Sequence, residues 1–106
     1  MPLRKKSAGT PNAVEAAPDI YEPVFENDAV MVMMVTMSPG ERVRNHQHSS
    51  YVIYVIEASR IKVNTGAEQD SILKPHAGEV MWMESGEHSS ENIGETAFRA
   101  LIVELK

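Results

Sequence analysis

The sequence predicts an all-β fold, a small jelly-roll-like barrel, and three observations carry that expectation. Short runs rich in Val, Ile, Met and Tyr recur from Asp19 onward, separated by turn residues. Several of these runs alternate apolar and polar side chains, the period of a half-buried strand. No stretch sustains a helical period beyond a turn or two.

Each element follows from that reading. Residues 1–18, rich in Ala, Pro, Ser and Gly, are expected to be a mobile lead-in with little to bury. Residues 19–106 are expected to form one barrel domain. Its strands are expected at Tyr21–Phe25, Ala29–Met37, Arg42–His46, Val52–Glu57, Arg60–Asn64, Ser71–Pro75, Glu79–Met83, His88–Asn92 and Ala97–Leu105. Turn formers punctuate them, among them Ser38-Pro39-Gly40, Thr65-Gly66, Ser85-Gly86 and Ile93-Gly94. Ile61 and Val63 face one way while Arg60, Lys62 and Asn64 face the other. Val30–Val35 is apolar on both faces and is expected to be covered twice. A methionine-rich outer face there, from Met31, Met33 and Met37 on one parity or Val30, Val32 and Met34 on the other, would suit a homodimer. The alternative is a strand buried within one two-sheet sandwich.

Composition bounds the function. The chain carries a net charge of −5, and without the basic lead-in the remainder is near −7. An acidic body repels phosphate backbones, so no nucleic-acid partner is expected. No apolar run is long enough to span a bilayer. The lead-in has no apolar segment after its basic residues, so it does not read as a secretory signal. The chain has no cysteine, which removes disulfides and thiolate metal sites and fits a reducing, cytoplasmic setting.

Three of the four histidines stand at informative spacings. On a strand, His46 and His48 put two imidazoles on one face, and Gln47 between them points away. Gly40, six residues before His46, is placed to launch that strand. Further on, Gly78 opens a segment that runs as strand, glycine turn at Gly86, then His88 at the start of the next strand. His88 can supply a third nitrogen from a neighbouring strand. Three imidazoles leave positions open for water or substrate, the pattern of a reactive metal site.

These residues resemble the cupin superfamily. Its first motif, Gly-x5-His-x-His followed by a glutamate and a glycine, is matched by Gly40, His46 and His48. Its second, Gly-x5-Pro-x-Gly-x2-His-x3-Asn, is matched in order by Gly78, Gly86, His88 and Asn92. The first motif's glutamate is missing: Val52 and Ile53 hold its two allowed positions, and Tyr51 is the candidate for the vacated place. Glu84 stands where the second motif has proline, and the step from Gly86 to His88 is one residue short. The ending Arg99–Lys106 is similar to that of small cupins labelled as β-alanine degradation proteins.

The resemblance implies one divalent metal ion on His46, His48 and His88, with Asn92 in a supporting, turn-fixing role. Neutral imidazoles suit Fe, Ni, Zn and, less strongly, Mn. It further implies a small-molecule substrate, anionic if it replaces the missing carboxylate, and with iron a dioxygenase-like reaction. A non-catalytic binding or sensing module is the alternative, and a metal-free barrel a third reading. Tyr51, Tyr54 and Trp82 are candidates for the pocket wall, Trp82 being equally readable as plain core. Arg44 and Arg99 are candidates to clamp a carboxylate, or are surface charges. His76 reads as a solvated loop residue. Metal affinity is expected to fall as pH drops through the imidazole range.

Overall fold

The structure, a computed structural model, describes residues 9–66 and 69–106. Residues 1–8, the front of the expected lead-in, lie outside the described residues. One short helix, α1 (Ala13–Ala16), precedes nine strands: β1 (Tyr21–Glu26), β2 (Val30–Met37), β3 (Arg42–His48), β4 (Tyr51–Glu57), β5 (Ile61–Asn64), β6 (Ser71–Leu73), β7 (Val80–Met83), β8 (Gly86–Asn92) and β9 (Phe98–Leu105). They form two antiparallel sheets, one ordered β1-β2-β9-β4-β7 and the other β3-β8-β5-β6. The all-β, jelly-roll-like expectation holds.

Alternation decides which side chains fill the space between the sheets. Met33, Val35 and Met37 on β2, Ile53 and Val55 on β4, and Ala100 and Ile102 on β9 all point inward and are buried. Met31 packs partly against the same core. The methionines at 31, 33 and 37 are therefore core, and the outer face of β2 is built by Val30, Val32 and Met34. Methionine suits the interior because its flexible thioether fills irregular gaps.

The end of the expected lead-in is structured. Asn12 caps α1, its Oδ1 accepting from the Glu15 amide (2.8 Å) while Glu15 Oε1 accepts from the Asn12 amide (3.0 Å). This reciprocal box satisfies helix donors that would otherwise be orphaned. Ala13 is buried, Asn12 bridges to Gln47, and the Gln47 side chain donates to the Thr10 carbonyl (2.9 Å). The segment thereby covers the outer side of β3 behind the histidines.

Two junctions hold the sheets in relation to one another. Gly40, with φ of +85°, makes the turn from β2 into β3, a backbone region that a side chain would strain. Asn92, fully buried at the end of β8, donates to the Met37 and Thr96 carbonyls (both 2.9 Å) and accepts from Ser59 Oγ (2.8 Å) and the Gly94 amide (2.9 Å). All of its polar atoms are used, and it ties the end of β2 to the loop that leads into β9. Among the described residues, no helix is long and apolar enough to cross a membrane.

Candidate metal centre

The site lies where β3 and β8 pair. His46 and His88 are direct cross-strand partners, and His48 lies two residues along from His46 on the same face. Cross-strand and i+2 neighbours are the closest same-face positions a sheet offers, so three imidazoles converge without any loop contortion. Ring nitrogens of His46, His48 and His88 all lie within 4.8 Å of one another. Ring centroids stand 4.6 Å apart for His46 and His88, 4.7 Å for His46 and His48, and 5.0 Å for His48 and His88.

Hydrogen bonds on the far side of two rings determine which nitrogens face inward. His46 Nδ1 lies 2.8 Å from the Arg44 carbonyl oxygen and His48 Nδ1 lies 3.2 Å from Glu104 Oε2. A carbonyl and an ionised carboxylate can only accept, so each Nδ1 carries the proton and each neutral ring presents a lone pair at Nε2. Those two Nε2 atoms are 3.0 Å apart. Two facing lone pairs repel unless a cation stands between them. A shared proton would serve two nitrogens, whereas a metal ion serves all three rings that converge here. Two nitrogens ~2.1 Å from one ion and at right angles to each other would themselves be about 3.0 Å apart. The residues present thus fit a divalent metal.

Electrostatics point the same way. Burial lowers the pKa of His46 to about 4, with the neighbouring His48 adding to the effect against the Arg44 hydrogen bond. Burial, then repulsion from His46 and His48, lowers that of His88 to about 3. His46 and His88 are thereby kept in the neutral form that ligates. Burial alone would raise the Glu104 carboxyl, but hydrogen bonds from the His48 ring and the Ser49 amide (3.0 Å) outweigh it and hold Glu104 below its ordinary value.

Tyr51 is buried, with its ring 4.6 Å from that of His48. Tyr21, not singled out from sequence, lies with its ring 5.7 Å from His46 and 6.1 Å from His48. Burial raises the pKa of both tyrosines, leaving them neutral O–H donors. Both line a mostly apolar cavity of about 60 Å³, whose wall also includes Met81, Met83, His88, Ser90 and Phe98. That volume admits a few waters or a very small molecule.

The other pocket candidates lie elsewhere. Tyr54 and Trp82 are 46% and 51% exposed on the outer face of the five-stranded sheet, and the Trp82 indole N–H donates to Glu84 (2.9 Å). Arg99 also points outward and pairs with Glu57 (3.3 Å). Arg44 is exposed although it shares sequence parity with His46. The reason is a bulge in β3 between Val43 and His46, which places Val43 and His46 inward and Arg44 outward. His76 is an exposed loop residue whose amide donates to Glu79. Glu104, like Tyr21, was not singled out from sequence. Its signal was present: Phe98, Ala100, Ile102 and Glu104 share one parity on β9, and the first three are buried.

No family model matches the sequence, and none of the curated proteins does. Solved structures match over most of the chain. A cupin domain from Bordetella pertussis Tohama I has a TM-score of 0.76 at 24% identity, covering 92% of this chain and 96% of that one. A double-stranded β-helix protein from Klebsiella pneumoniae has a TM-score of 0.66 at 22% identity, over 95% and 81%. A predicted oxalate decarboxylase from Thermotoga maritima has a TM-score of 0.56 at 26% identity, over 80% and 77%. The protein is a cupin by fold: a double-stranded β-helix with a three-histidine cluster between its sheets.

Proposed function

We propose that this protein is a mononuclear metal enzyme of the dioxygenase-like cupin kind, acting on a small anionic molecule. The observation that carries the reading is the pair of facing Nε2 lone pairs on His46 and His48, with His88 completing the set. A bound divalent ion would supply Lewis acidity and, if it is iron, oxygen chemistry. The protein's own groups supply the rest. The Arg44 carbonyl and Glu104 hold two rings in the ligating tautomer. The apolar cavity limits water and is wide enough only for a small reactant. Tyr21 and Tyr51, kept neutral by burial, can donate O–H bonds to a substrate carboxylate.

An anionic substrate is supported by charge. Among the described residues the candidate ligand set contains no carboxylate, so a dication here keeps its charge until an anion joins it. The oxalate decarboxylase prediction made for the Thermotoga protein concerns a small carboxylate and is consistent with this reading. The lack of cysteine fits a cytoplasmic setting.

The test is metal analysis of untagged protein, followed by oxygen uptake by the iron-loaded form with thiols, phenols and keto-acids. We expect one metal per chain and substrate-dependent uptake that His88→Ala abolishes. Metal without turnover would make the protein a binding module. No metal at all would make the cluster a polar lining only.

A further inference from the structure

The inward row of β8 is His88, Ser90 and Asn92. His88 belongs to the metal centre, and every polar atom of the Asn92 side chain is bonded. Ser90 differs from both. Its hydroxyl oxygen is buried without a hydrogen-bond partner, the one such side-chain atom among the described residues. It stands near enough to the Tyr21 hydroxyl to restrain the rise in that group's pKa, but closes no hydrogen bond to it. Register sets Ser90 between Val43 on β3 and Val63 on β5. An apolar side chain would suit such a place on folding grounds alone, because a buried hydroxyl with no partner opposes folding.

Ser90 lines the same cavity as Tyr21, Tyr51 and His88. Successive inward residues of a strand stand about 6.6 Å apart. Ser90 therefore lies one short molecule's length from His88 and the metal centre.

We infer that Ser90 is a second anchor for the substrate, its hydroxyl bonding a neutral oxygen two carbons beyond the carboxylate that meets the metal. This anchor serves the metal-dependent reaction proposed above and rests on that reading. The substrate class it defines is a short acid with a hydroxyl or carbonyl oxygen on its third carbon.

The chemistry of the wall decides the class. The cavity is lined by no lysine or arginine, and Ile61, Val63, Leu73 and Pro75 form part of it. A second charged group there would be buried without an opposite charge, so the far end of the substrate is neutral. A purely hydrocarbon end would leave the Ser90 hydroxyl unmet, so that end is polar. A serine hydroxyl both donates and accepts, and it takes an alcohol or a carbonyl alike. The volume of about 60 Å³ keeps the chain short.

Calorimetry of the cobalt(II)-loaded protein with propionate and 3-hydroxypropionate tests this, since the two acids differ by one hydroxyl. We expect the hydroxy acid to bind about tenfold more tightly, and Ser90→Ala to erase the difference. The variant should carry as much metal as the wild type. Its urea midpoint should be no lower, because the change removes a hydroxyl that folding leaves unpaired. Ser90→Cys, close in size, takes its place should the alanine variant fail to fold. Equal binding of the two acids by loaded protein overturns the inference and leaves the metal centre standing. So does a preference that survives in the folded Ser90 variants, because the metal then holds the hydroxyl by itself. A lowered urea midpoint for Ser90→Ala would give the hydroxyl a part in folding and also overturns the inference. Protein that takes up no metal overturns the metal reading and this anchor together.

Discussion

The two faces of the five-stranded sheet differ in what one polar residue does. On the inner face Glu104 sits among Phe98, Ala100 and Ile102 on β9 and opposite Tyr51 on β4. There it finds the His48 ring and the Ser49 amide. On the outer face, where polar side chains are cheap, the same strands carry Leu101, Val103, Val52 and Tyr54 instead. The face that should be dry holds a carboxylate, and the face that should be wet is apolar. Each departs from simple two-sided patterning, and such departures mark sites that exist for something besides folding.

The largest expected effect tests the inner face. His46→Ala, His48→Ala and His88→Ala should each lower metal affinity by more than about a hundredfold, above the loss typical of supporting residues. His76→Ala should leave it unchanged. Metal content by plasma mass spectrometry reads this directly, and retention of metal in any of the first three breaks the assignment.

Glu104→Gln sharpens the comparison. The amide keeps the size but removes the charge, and it can turn its NH₂ towards His48, which disturbs the tautomer. Metal affinity should fall by roughly ten- to a hundredfold. An unchanged affinity would reduce Glu104 to a surface partner of His48.

Asn92→Ala should separate folding from metal binding. It strands two carbonyls, a hydroxyl and an amide in a buried junction, and the expected loss is about 3 kcal/mol of stability. Denaturant titration measures it. A loss of metal affinity comparable to that of Glu104→Gln, without loss of stability, would contradict its place as a turn tie.

The dependence on pH has a definite sign. Above the ordinary imidazole value of 6.5, His46 and His88 are neutral in both folded and unfolded chains and contribute no slope. Between 6.5 and about 4 the unfolded chain takes up protons that the buried rings refuse. Stability of the metal-free protein should therefore fall with pH through that window and level off below about pH 3. Glu104, with its lowered pKa, adds to the loss at the acid end. Urea midpoints at pH 7.5 and 5 test this, and equal midpoints would refute it. Proton competition for metal at His46 and His88 should likewise set in nearer pH 4 than in the ordinary imidazole range expected from sequence.

The smallest effects belong to the arginines. Arg44→Ala and Arg99→Ala should each change stability by less than about 0.5 kcal/mol, as for exposed charges. Neither should alter metal affinity. A marked effect of Arg44→Ala would mean that its side chain, besides its carbonyl, serves the site.

Much of this was legible in the sequence because its causes are local. Strand periodicity and turn residues marked all nine strands to within two residues or so at either end, and two histidine spacings picked out the cluster. The capping box at Asn12 and Glu15 came only with the structure, in a segment whose composition reads as a mobile lead-in. Tertiary structure decided the rest. The bulge in β3 reversed the parity of Arg44, an effect that depends on how two strands pair and not on either alone. Register across β4 and β9 brought Glu104 to His48 from more than fifty residues away. Which side of β2 became the core, and so whether its methionines or its valines face outward, depended on the sheet packed against it. Alternation along a strand states that two faces differ, while the opposing sheet determines which of them is inside.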